Sequence, residues 1–492
     1  MSSPPILIVG AGPTGLSAAY HLGADALLVE RERTVGGQCR SMAVKGFIFD
    51  QAPHVMTSND PYVLGLYDLL LGDNVQWQDR EAWVYSKSVY TRYPFQASLY
   101  GLPPEVVKEC LLGAIEARYG DWRSAQERAR ATSSGEAVVP SLTDWVSKLA
   151  QAGASNGNGS ANGSAAPLAK TPGVEPPHNL EEIIYQLWGP GIARHFSIPY
   201  NRKLWGIPLE EIDPSILAGR VPQPDLSDML EGALSDTHQS GPSSRFGYPQ
   251  HGGSQALMNG FLPHLRGPIR LNADVTRVSV RDHTVTFADG STATYDTLIS
   301  TIPLPELVRR LSDDAPLEVR NAAAGLHHVS LRCVHLGFGR PKLTYKHWIY
   351  YPEDTVFHRI FVQGNASADC NPPGGFGITC EVSYSDRKPL MFDGASLIAR
   401  CINDCRRVGI IGDLVPVWAA FTTDQPYAYV IHDHEHAERV RVIRDWMAAH
   451  DIVLAGRYGE WSHHDAAQAF LAGRAAADRA HATLASHDYR VA

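Results

Sequence analysis

The sequence carries no excess of basic residues. Its 43 Lys and Arg residues are outnumbered by 52 Asp and Glu residues, and the formal net charge is −9. General nucleic-acid-binding proteins usually show the opposite balance, with basic residues gathered on one face. The composition therefore argues against a nucleic-acid partner, although it does not exclude a local cationic pocket for a phosphorylated ligand.

Long apolar runs and regularly spaced cysteines are lacking as well. No window reaches the roughly 18 apolar residues that a membrane span needs, and no cationic segment precedes the first apolar run, Ile6–Val9. The seven cysteines are irregularly spaced along 492 residues, which is not the pattern of a disulfide framework. We therefore expect no membrane span, no signal peptide, buried thiols and a reducing, cytoplasmic location.

The chain is too long for one simple core, since domains run to roughly 100–200 residues. The pair Pro103-Pro104 is typical of a helix start, and apolar residues recur after it at helical spacing. Residues 151–178 contain almost no large apolar side chain, so they bury too little surface to become ordered. We predict a mobile loop there within a helical region, and a hairpin further along at Asp289-Gly290.

The N-terminal glycine motif predicts a dinucleotide site. The apolar run Ile6–Val9 leads into Gly10, Gly12 and Gly15, and a helical pattern follows. In this order the glycines permit a tight turn, a close approach of the pyrophosphate and close packing of the helix on the strand. Glu30 ends the next apolar run, where an acid suits the ribose hydroxyls of an adenosine moiety.

Segments further along the chain resemble the flavoproteins with two dinucleotide-binding domains. They are the Gly-Gly turn of "ERERTVGGQCRS", the strand "LNADVTRVSV" and the C-terminal "VLAGRYGEW". This resemblance implies FAD rather than NAD, bound by a domain assembled from distant parts of the chain. Together with the glycine motif, it gives these cofactor-binding residues: Gly10, Gly12, Gly15, Glu30, Gly36, Gly37, Arg40, Ser41, Val275, Gly456, Arg457 and Gly459.

A narrower resemblance rests on five motifs that occur in family order. They are "GFIFDQAPHVM", "YPFQ", "PYNRKLWGIP", "HWIYYPED" and "GRYGEW". On these motifs the chain resembles the UDP-galactopyranose mutases, and the eukaryotic-type members somewhat more than the others. The expected fold class is α/β, with a discontinuous Rossmann-like FAD-binding domain, a helical insert domain and an antiparallel β-sheet substrate domain. The expected boundaries are, in that order, 1–92 with 210–300 and 440–492, then 93–209, and then 301–439.

The resemblance implies a mutase that interconverts the pyranose and furanose rings of a nucleotide sugar, with a UDP-sugar as the first expectation. Reduced FAD would act as a nucleophile through an N5–sugar adduct, and there would be no net redox change. A diphosphate leaving group calls for cationic donors, and Arg bonds its oxygens in pairs. The implied catalytic residues are His54, Arg220 and Arg359, and the implied substrate-binding residues are Tyr93, Gln96, Asn201, Trp205, Tyr350, Tyr427 and His463.

The sequence departs from the family pattern in two places. His463 stands where a Tyr is expected, with Ala467 in place of an Asn, and Ala52-Pro53 replaces two glycines before His54. A histidine can donate to phosphate but lacks the reach of a tyrosine. These departures leave open which sugar and which base the chain would bind. Tyr429 matches the family position assigned to Tyr427 equally well.

Two other functions are compatible with the same FAD-binding fold. One is an oxidase or desaturase of the amine-oxidase-like type, acting on a small amine, alcohol or sugar, and the other is a flavin-binding protein kept for structure or partner binding. Convergence of Arg220 and Arg359 near flavin N5 would favour the mutase over the oxidase. The alternating His432, His434 and His436 have no second cluster at fixed spacing, so we expect no metal. The oligomeric state stays open.

Overall fold

The computed structural model of the chain describes residues 4–119, 176–217, 225–236, 245–311 and 314–491. The predicted mobile loop falls outside these residues except for 176–178, and Arg220 also lies outside them. In chain order the strands are β1 (Ile6–Val9), β2 (Ala26–Val29), β3 (Ser41–Val44), β4 (Phe47–Asp50), β5 (Gln76–Asp79), β6 (Ala82–Ser86), β7 (Val89–Arg92), β8 (Arg245–Tyr248), β9 (Ile269–Arg270), β10 (Val275–Ser279), β11 (Thr284–Phe287), β12 (Thr292–Thr294), β13 (Thr297–Ser300), β14 (His328–Phe338), β15 (Trp348–Tyr350), β16 (Arg359–Phe361), β17 (Phe376–Tyr384), β18 (Val417–Val430) and β19 (Ile452–Leu454).

The α-helices are given next, again in chain order and for the described residues. They are α1 (Pro13–Leu22), α2 (Pro61–Leu71), α3 (Pro104–Tyr119), α4 (Leu180–Ile192), α5 (Ile198–Trp205), α6 (Leu226–Leu234), α7 (Ser254–Gly260), α8 (Leu304–Leu311), α9 (Leu317–Ala324), α10 (Gln363–Ala366), α11 (Gly394–Arg407), α12 (His436–Ala448), α13 (Gly456–Gly459) and α14 (Ala466–Val491).

A five-stranded parallel sheet forms the first layer, in the order β19-β13-β1-β2-β9. All four residues of β1 are buried, as expected for a parallel strand covered on both faces. Helix α1 crosses from β1 to β2, and a Cβ atom at Gly15 would lie 1.8 Å from the Gly10 carbonyl oxygen. The strands come from three distant parts of the chain, which confirms the predicted discontinuous Rossmann-like unit.

A seven-stranded sheet in the order β18-β14-β17-β16-β15-β6-β7 forms the second large layer. Its pairings are antiparallel except that of β15 with β6, in which Trp348 pairs with Ala82 and Tyr350 with Val84. The predicted boundary at residue 92 would have placed β6 and β7 with the FAD-binding segment. Local sequence could not show this pairing, because two short strands do not reveal which sheet edge they join.

The helical insert packs through glycine contacts. A Cβ atom at Gly191 would lie 2.3 Å from the Glu109 carbonyl oxygen, so α3 and α4 approach more closely than side chains would permit. Helix α4 is kinked at Gly189, whose φ is 72°, just before Pro190. A wider π-type turn, Ala193–Ser197, then carries the chain into α5.

The predicted hairpin and the burial of the cysteines are also confirmed. The hairpin joins β11 to β12, with Gly290 at φ 81°. All seven cysteines are buried and free of disulfides. Within the described ranges, no helix is both long and apolar enough to cross a membrane.

Candidate functional site

The glycine-rich turn after β1 leaves the start of α1 open. Gly12 is the N-cap residue, no side chain caps the helix, and its first turn holds no acidic residue. A second turn lies opposite, since the Gly36 amide donates to the Ala11 carbonyl at 2.8 Å and a Cβ at Gly37 would lie 3.0 Å from the Gly12 Cα. Uncapped amides and missing side chains leave a cradle that fits the pyrophosphate of a dinucleotide.

Glu30 is held at the end of β2 in a position suited to an adenosine ribose. Its carboxylate is buried and accepts from the amides of Ala11 at 2.7 Å and Glu32 at 3.0 Å. Each oxygen keeps a lone pair for a ribose hydroxyl. The Ala273 amide donates to the Glu30 carbonyl at 2.8 Å, which brings the buried Val275 to the same end of the sheet.

Arg40 and Ser41 bond within the protein and fix this turn. Arg40 pairs with Glu32 at 3.0 Å and donates to the Gly37 carbonyl at 3.0 Å. Ser41 donates to the Asp50 carboxylate at 2.7 Å. Both residues therefore support the shape of the cofactor cradle through its second turn.

Asp50 anchors the loop that leads to His54. Its side chain is fully buried. Besides Ser41, it accepts from the Tyr248 hydroxyl at 2.7 Å and the Ser254 amide at 3.0 Å. A buried carboxylate with three donors is a rigid anchor, so it fixes the loop four residues before His54.

His54 bonds to the backbone of its own loop, since its Nδ1 lies 2.8 Å from the Ala52 carbonyl oxygen. A carbonyl only accepts, so the proton is on Nδ1 and Nε2 is left as an acceptor. Burial lowers the pKa of His54 below its ordinary value, although the Ala52 carbonyl, Asp50 and Glu381 act in the opposite direction. The ring is therefore neutral at physiological pH and presents a lone pair.

The C-terminal segment meets the glycine-rich turn directly. Gly456 has φ 75°, and a Cβ there would lie 2.3 Å from the Thr14 hydroxyl oxygen. A Cβ at Gly459 would lie 2.5 Å from the Ser300 carbonyl oxygen. Arg457, between these glycines, donates to the Ala428 carbonyl at 2.7 Å, so its guanidinium links this segment to β18.

Arg359 is paired with a carboxylate that sequence reasoning missed. Glu381 is fully buried and accepts from Arg359 Nε at 2.9 Å and Nη2 at 2.6 Å. Burial alone would lower the pKa of Arg359, but the Glu381 charge beside it raises the pKa well above its ordinary value. The only available signal was a lone acid in the otherwise apolar strand β17, and that signal does not reveal its partner.

Aromatic rings lie beside this pair, in the region that the family resemblance predicts as the nucleotide cleft. Tyr93 and Tyr350 stack with centroids 4.7 Å apart, and Tyr200 meets Tyr350 edge-on at 5.5 Å. The Arg359 guanidinium lies 6.0 Å from the Tyr350 ring centroid. Gln96 is buried in the turn just after Tyr93.

A second aromatic group lies on the α5 side of the cleft. Trp205 donates from Nε1 to the Asn201 side-chain oxygen at 2.9 Å. Its ring lies edge-on to Tyr429 at 6.1 Å and to His463 at 5.8 Å. The Tyr429 hydroxyl also accepts from Arg359 at 3.3 Å, which joins the two groups.

Tyr427 does not join this cluster, whereas the alternative register, Tyr429, does. The Tyr427 hydroxyl donates to Glu306 at 2.5 Å and its ring lies 4.4 Å from His328. Strand β18 has an irregular register between Gln425 and Tyr429. Because such a bulge breaks the alternation of side chains, the two tyrosines take different directions despite their even spacing.

Three further predictions concern Ala467, Arg220 and the histidines near residue 432. Ala467, which stands where an Asn was expected, is buried on α14. The expected convergence of Arg220 with Arg359 concerns a residue outside the described ranges. His432 and His436 stack at 4.0 Å, and nowhere in the described part of the chain do three or more His, Cys, Asp or Glu side chains group as metal ligands.

The cradle and the discontinuous sheet define a dinucleotide-binding flavoprotein, and comparison with known families agrees. The profile of the flavin containing amine oxidoreductase family matches residues 215–481, and that of the NAD(P)-binding Rossmann-like domain matches residues 8–70. The first match spans more than half of the chain, which therefore belongs to the flavin containing amine oxidoreductase family. It is an FAD-dependent, amine-oxidase-like flavoprotein.

The individual relatives include both oxidases and a mutase. The chain is 38% identical over 71 residues to protoporphyrinogen oxidase 2, chloroplastic/mitochondrial, of Arabidopsis thaliana, and the match covers 14% of each chain. It is 36% identical over 72 residues to the mitochondrial protoporphyrinogen oxidase of Nicotiana tabacum, again 14% of each. The structure of a reduced UDP-galactopyranose mutase aligns with a TM-score of 0.80 at 25% identity, covering 97% of this chain and 94% of the other.

Proposed function

We propose that this chain is an FAD-dependent nucleotide-sugar mutase that interconverts pyranose and furanose rings with no net redox change. The observation that carries the proposal is the polar, aromatic cluster that joins Tyr350 and Trp205 to Arg359. The likeness to the reduced UDP-galactopyranose mutase over almost the whole of both chains supports it. A UDP-sugar is the substrate that this likeness favours.

Bound in its reduced form, FAD would supply an electron-rich N5 to the anomeric carbon of the sugar. The two glycine turns would hold its pyrophosphate, and Glu30 its ribose. The neutral His54 would present Nε2 as an acceptor to an N–H group of the cofactor. Arg457 would close the site from the C-terminal segment.

The chain's own side chains would bind and orient the nucleotide sugar. The rings of Tyr93 and Trp205 offer flat faces for a base. Tyr350 and Tyr429 offer hydroxyl donors, and burial raises the pKa of the Tyr429 hydroxyl above its ordinary value, so this group keeps its proton at neutral pH. Arg359 is fixed by Glu381 and supplies a rigid guanidinium edge rather than a free charge.

An oxidase of the amine-oxidase-like type is the second candidate. It is favoured by the family itself and by the matched segment of the plant protoporphyrinogen oxidases. That segment covers 14% of those relatives, and the cleft described here is lined by Tyr hydroxyls and guanidinium groups. We propose the mutase because such groups suit a diphosphate better than an apolar substrate.

The test compares the oxidised and the dithionite-reduced holoenzyme on a panel of UDP-sugars. The mutase predicts a product of unchanged mass and altered ring form, detected by chromatography and NMR, only after reduction. Oxygen uptake by the oxidised protein on amines or alcohols, with no ring conversion of any nucleotide sugar, would contradict it. The variant Arg92→Gln should keep this ring conversion, because Arg92 pairs with Glu81 at 3.2 Å and has no assigned place in the cleft.

A further inference from the structure

The charge balance of the cleft points to a residue outside the sequence motifs. A nucleoside diphosphate brings about two or three negative charges, which need cationic or hydroxyl partners. The charge of Arg359 is already matched by Glu381, and both nitrogens of one guanidinium edge are used. Both Nη atoms of Arg457 donate to backbone carbonyls, and Arg220 lies outside the described residues, so a further cation beside Tyr350 would complete the charge balance.

Arg80 is a cation in this position without a matching acid. It lies just before β6 and is partly buried. Its Nη2 donates to the Tyr350 hydroxyl at 3.0 Å. Across residues 4–119, 176–217, 225–236, 245–311 and 314–491, no carboxylate lies within 4.0 Å of its nitrogens. The Nε–H is buried and has no acceptor among those same residues.

Aromatic rings hold the Arg80 guanidinium in place. Its Cζ lies 5.4 Å from the Trp348 ring centroid and 5.7 Å from that of Tyr93. Stacking of this kind supports a guanidinium but does not neutralise it. A partly buried cation without a counter-charge is unfavourable, and an incoming anion would reduce that cost.

The hydrogen bond from Arg80 also orients the Tyr350 hydroxyl. Arginine carries no acceptor, so the tyrosine oxygen must accept and its own proton is left for another partner. A positive charge behind the oxygen makes that proton a stronger hydrogen-bond donor. Arg80 and Tyr350 thus form a unit with a directed O–H group backed by a charge.

Other cations near these strands do not donate to the Tyr350 hydroxyl, although Arg457 also lacks a carboxylate partner among the described residues and keeps a buried Nε–H without an acceptor there. Lys346 is buried and its ammonium lies 4.2 Å from the Tyr345 ring centroid and 4.6 Å from that of Trp83. Lys203 is enclosed by oxygens of the loop after β15. Arg92 is paired with Glu81.

We propose that Arg80 and Tyr350 form a phosphate subsite for the diphosphate of a nucleotide ligand, with Arg80 as the counter-charge and Tyr350 as the directed donor. This inference rests on the proposed function, because it assigns a residue to the substrate of that same cleft. It adds a cation that none of the sequence motifs contains.

The experiment titrates the flavin-loaded protein with UDP, uridine and inorganic pyrophosphate by calorimetry. Arg80→Gln keeps a hydrogen-bond donor and removes the charge, so we expect UDP and pyrophosphate to bind at least about tenfold more weakly while uridine changes less than about twofold. Arg80→Lys restores the charge and should recover part of the UDP affinity. Arg92→Gln, the matched control, should leave all three affinities unchanged.

The outcomes separate this inference from the proposed function. If the wild-type protein binds UDP and Arg80→Gln binds it equally well, the subsite is wrong and the mutase proposal stands. If the wild-type protein binds pyrophosphate through Arg80 but not UDP, the subsite stands and the nucleotide is wrong. If neither ligand binds, both proposals fail. Should Arg80→Gln lose its flavin, Tyr350→Phe decides, since a selective loss of UDP over uridine is then required.

Discussion

At the scale of single residues, cations beside the cleft are compensated in different ways. Arg359 has a buried carboxylate, Lys346 lies among aromatic rings, and Lys203 is surrounded by oxygens. Each arrangement removes a charge from water at a different cost. These differences predict different responses to substitution and to pH.

Removal of one member of the Arg359–Glu381 pair should destabilise the protein more than removal of both. Glu381→Ala leaves a guanidinium without its counter-charge, so we expect the free energy of unfolding to fall by about 3–5 kcal/mol. Replacement of both residues by Met should cost less, because no unpaired charge remains. Urea denaturation of the two variants with excess FAD measures the order, and a costlier double variant would show that the pair does not act as described.

Lys203 should make stability depend on pH in the alkaline range. Its Nζ lies 2.7 Å from the Phe357 carbonyl oxygen and 2.8 Å from that of Tyr351. Burial lowers its pKa from 10.5 to about 7, and Lys388 nearby adds to this. Between these two values the unfolded chain binds the proton that the folded chain has released, so stability rises with pH by at most about 1.4 kcal/mol per unit.

Melting curves at pH 7 and pH 9.5 test this assignment. The melting temperature of the wild type, measured relative to that of Lys203→Met, should be higher at pH 9.5 than at pH 7, because the variant lacks the group that titrates. Asp404 and Asp354 raise the pKa of Lys203, while Arg407 lowers it. Parallel curves for the two proteins would mean that Lys203 stays charged within its ring of oxygens.

At the scale of elements, glycines set how closely helices and strands approach. Gly15→Ala would place a methyl group 1.8 Å from the Gly10 carbonyl oxygen, and α1 would have to move away from β1. We therefore expect a large loss of bound flavin, measured as absorbance near 450 nm per chain. Gly65→Ala in α2 is the matched control, because no atom lies within 4 Å of its added Cβ, and it should keep its flavin.

Sequence patterns predicted the elements better than their pairings. The β1-α1-β2 unit, the hairpin at Gly290 and the helix from Pro104 follow from local turn chemistry and spacing. The parallel pairing of β6 with β15 and the irregular register in β18 depend on contacts between distant segments. That is why the boundary expected at residue 92 groups β6 and β7 with the FAD-binding segment, and why Tyr427 and Tyr429 stay equally plausible from the sequence.

Among the site residues the same limit applies. His54 and the glycines are marked by motifs, because backbone geometry demands those residue types. Asp50, Glu381 and Arg80 carry no local signal, because each depends on a partner that is far away in the chain. Only the folded structure brings such partners together.

At the scale of the whole molecule, the proposed cleft lies between segments that are far apart in the sequence. We propose the three-part division expected from the sequence, with residues 82–92 counted with the sheet of β14 and β17. In this division the FAD cradle, Trp205 of α5 and the Arg359–Glu381 pair come from three different parts.

The most direct test of the central claim measures how many product molecules form for each reduced flavin. The holoenzyme is reduced once under anaerobic conditions, freed of excess dithionite and mixed with the UDP-sugar that the panel identifies. A mutase predicts many ring conversions per flavin while the absorbance spectrum stays that of reduced FAD. At most one product per reduced flavin, or reduction of oxidised FAD by the substrate, would contradict the claim and assign the protein to the oxidases.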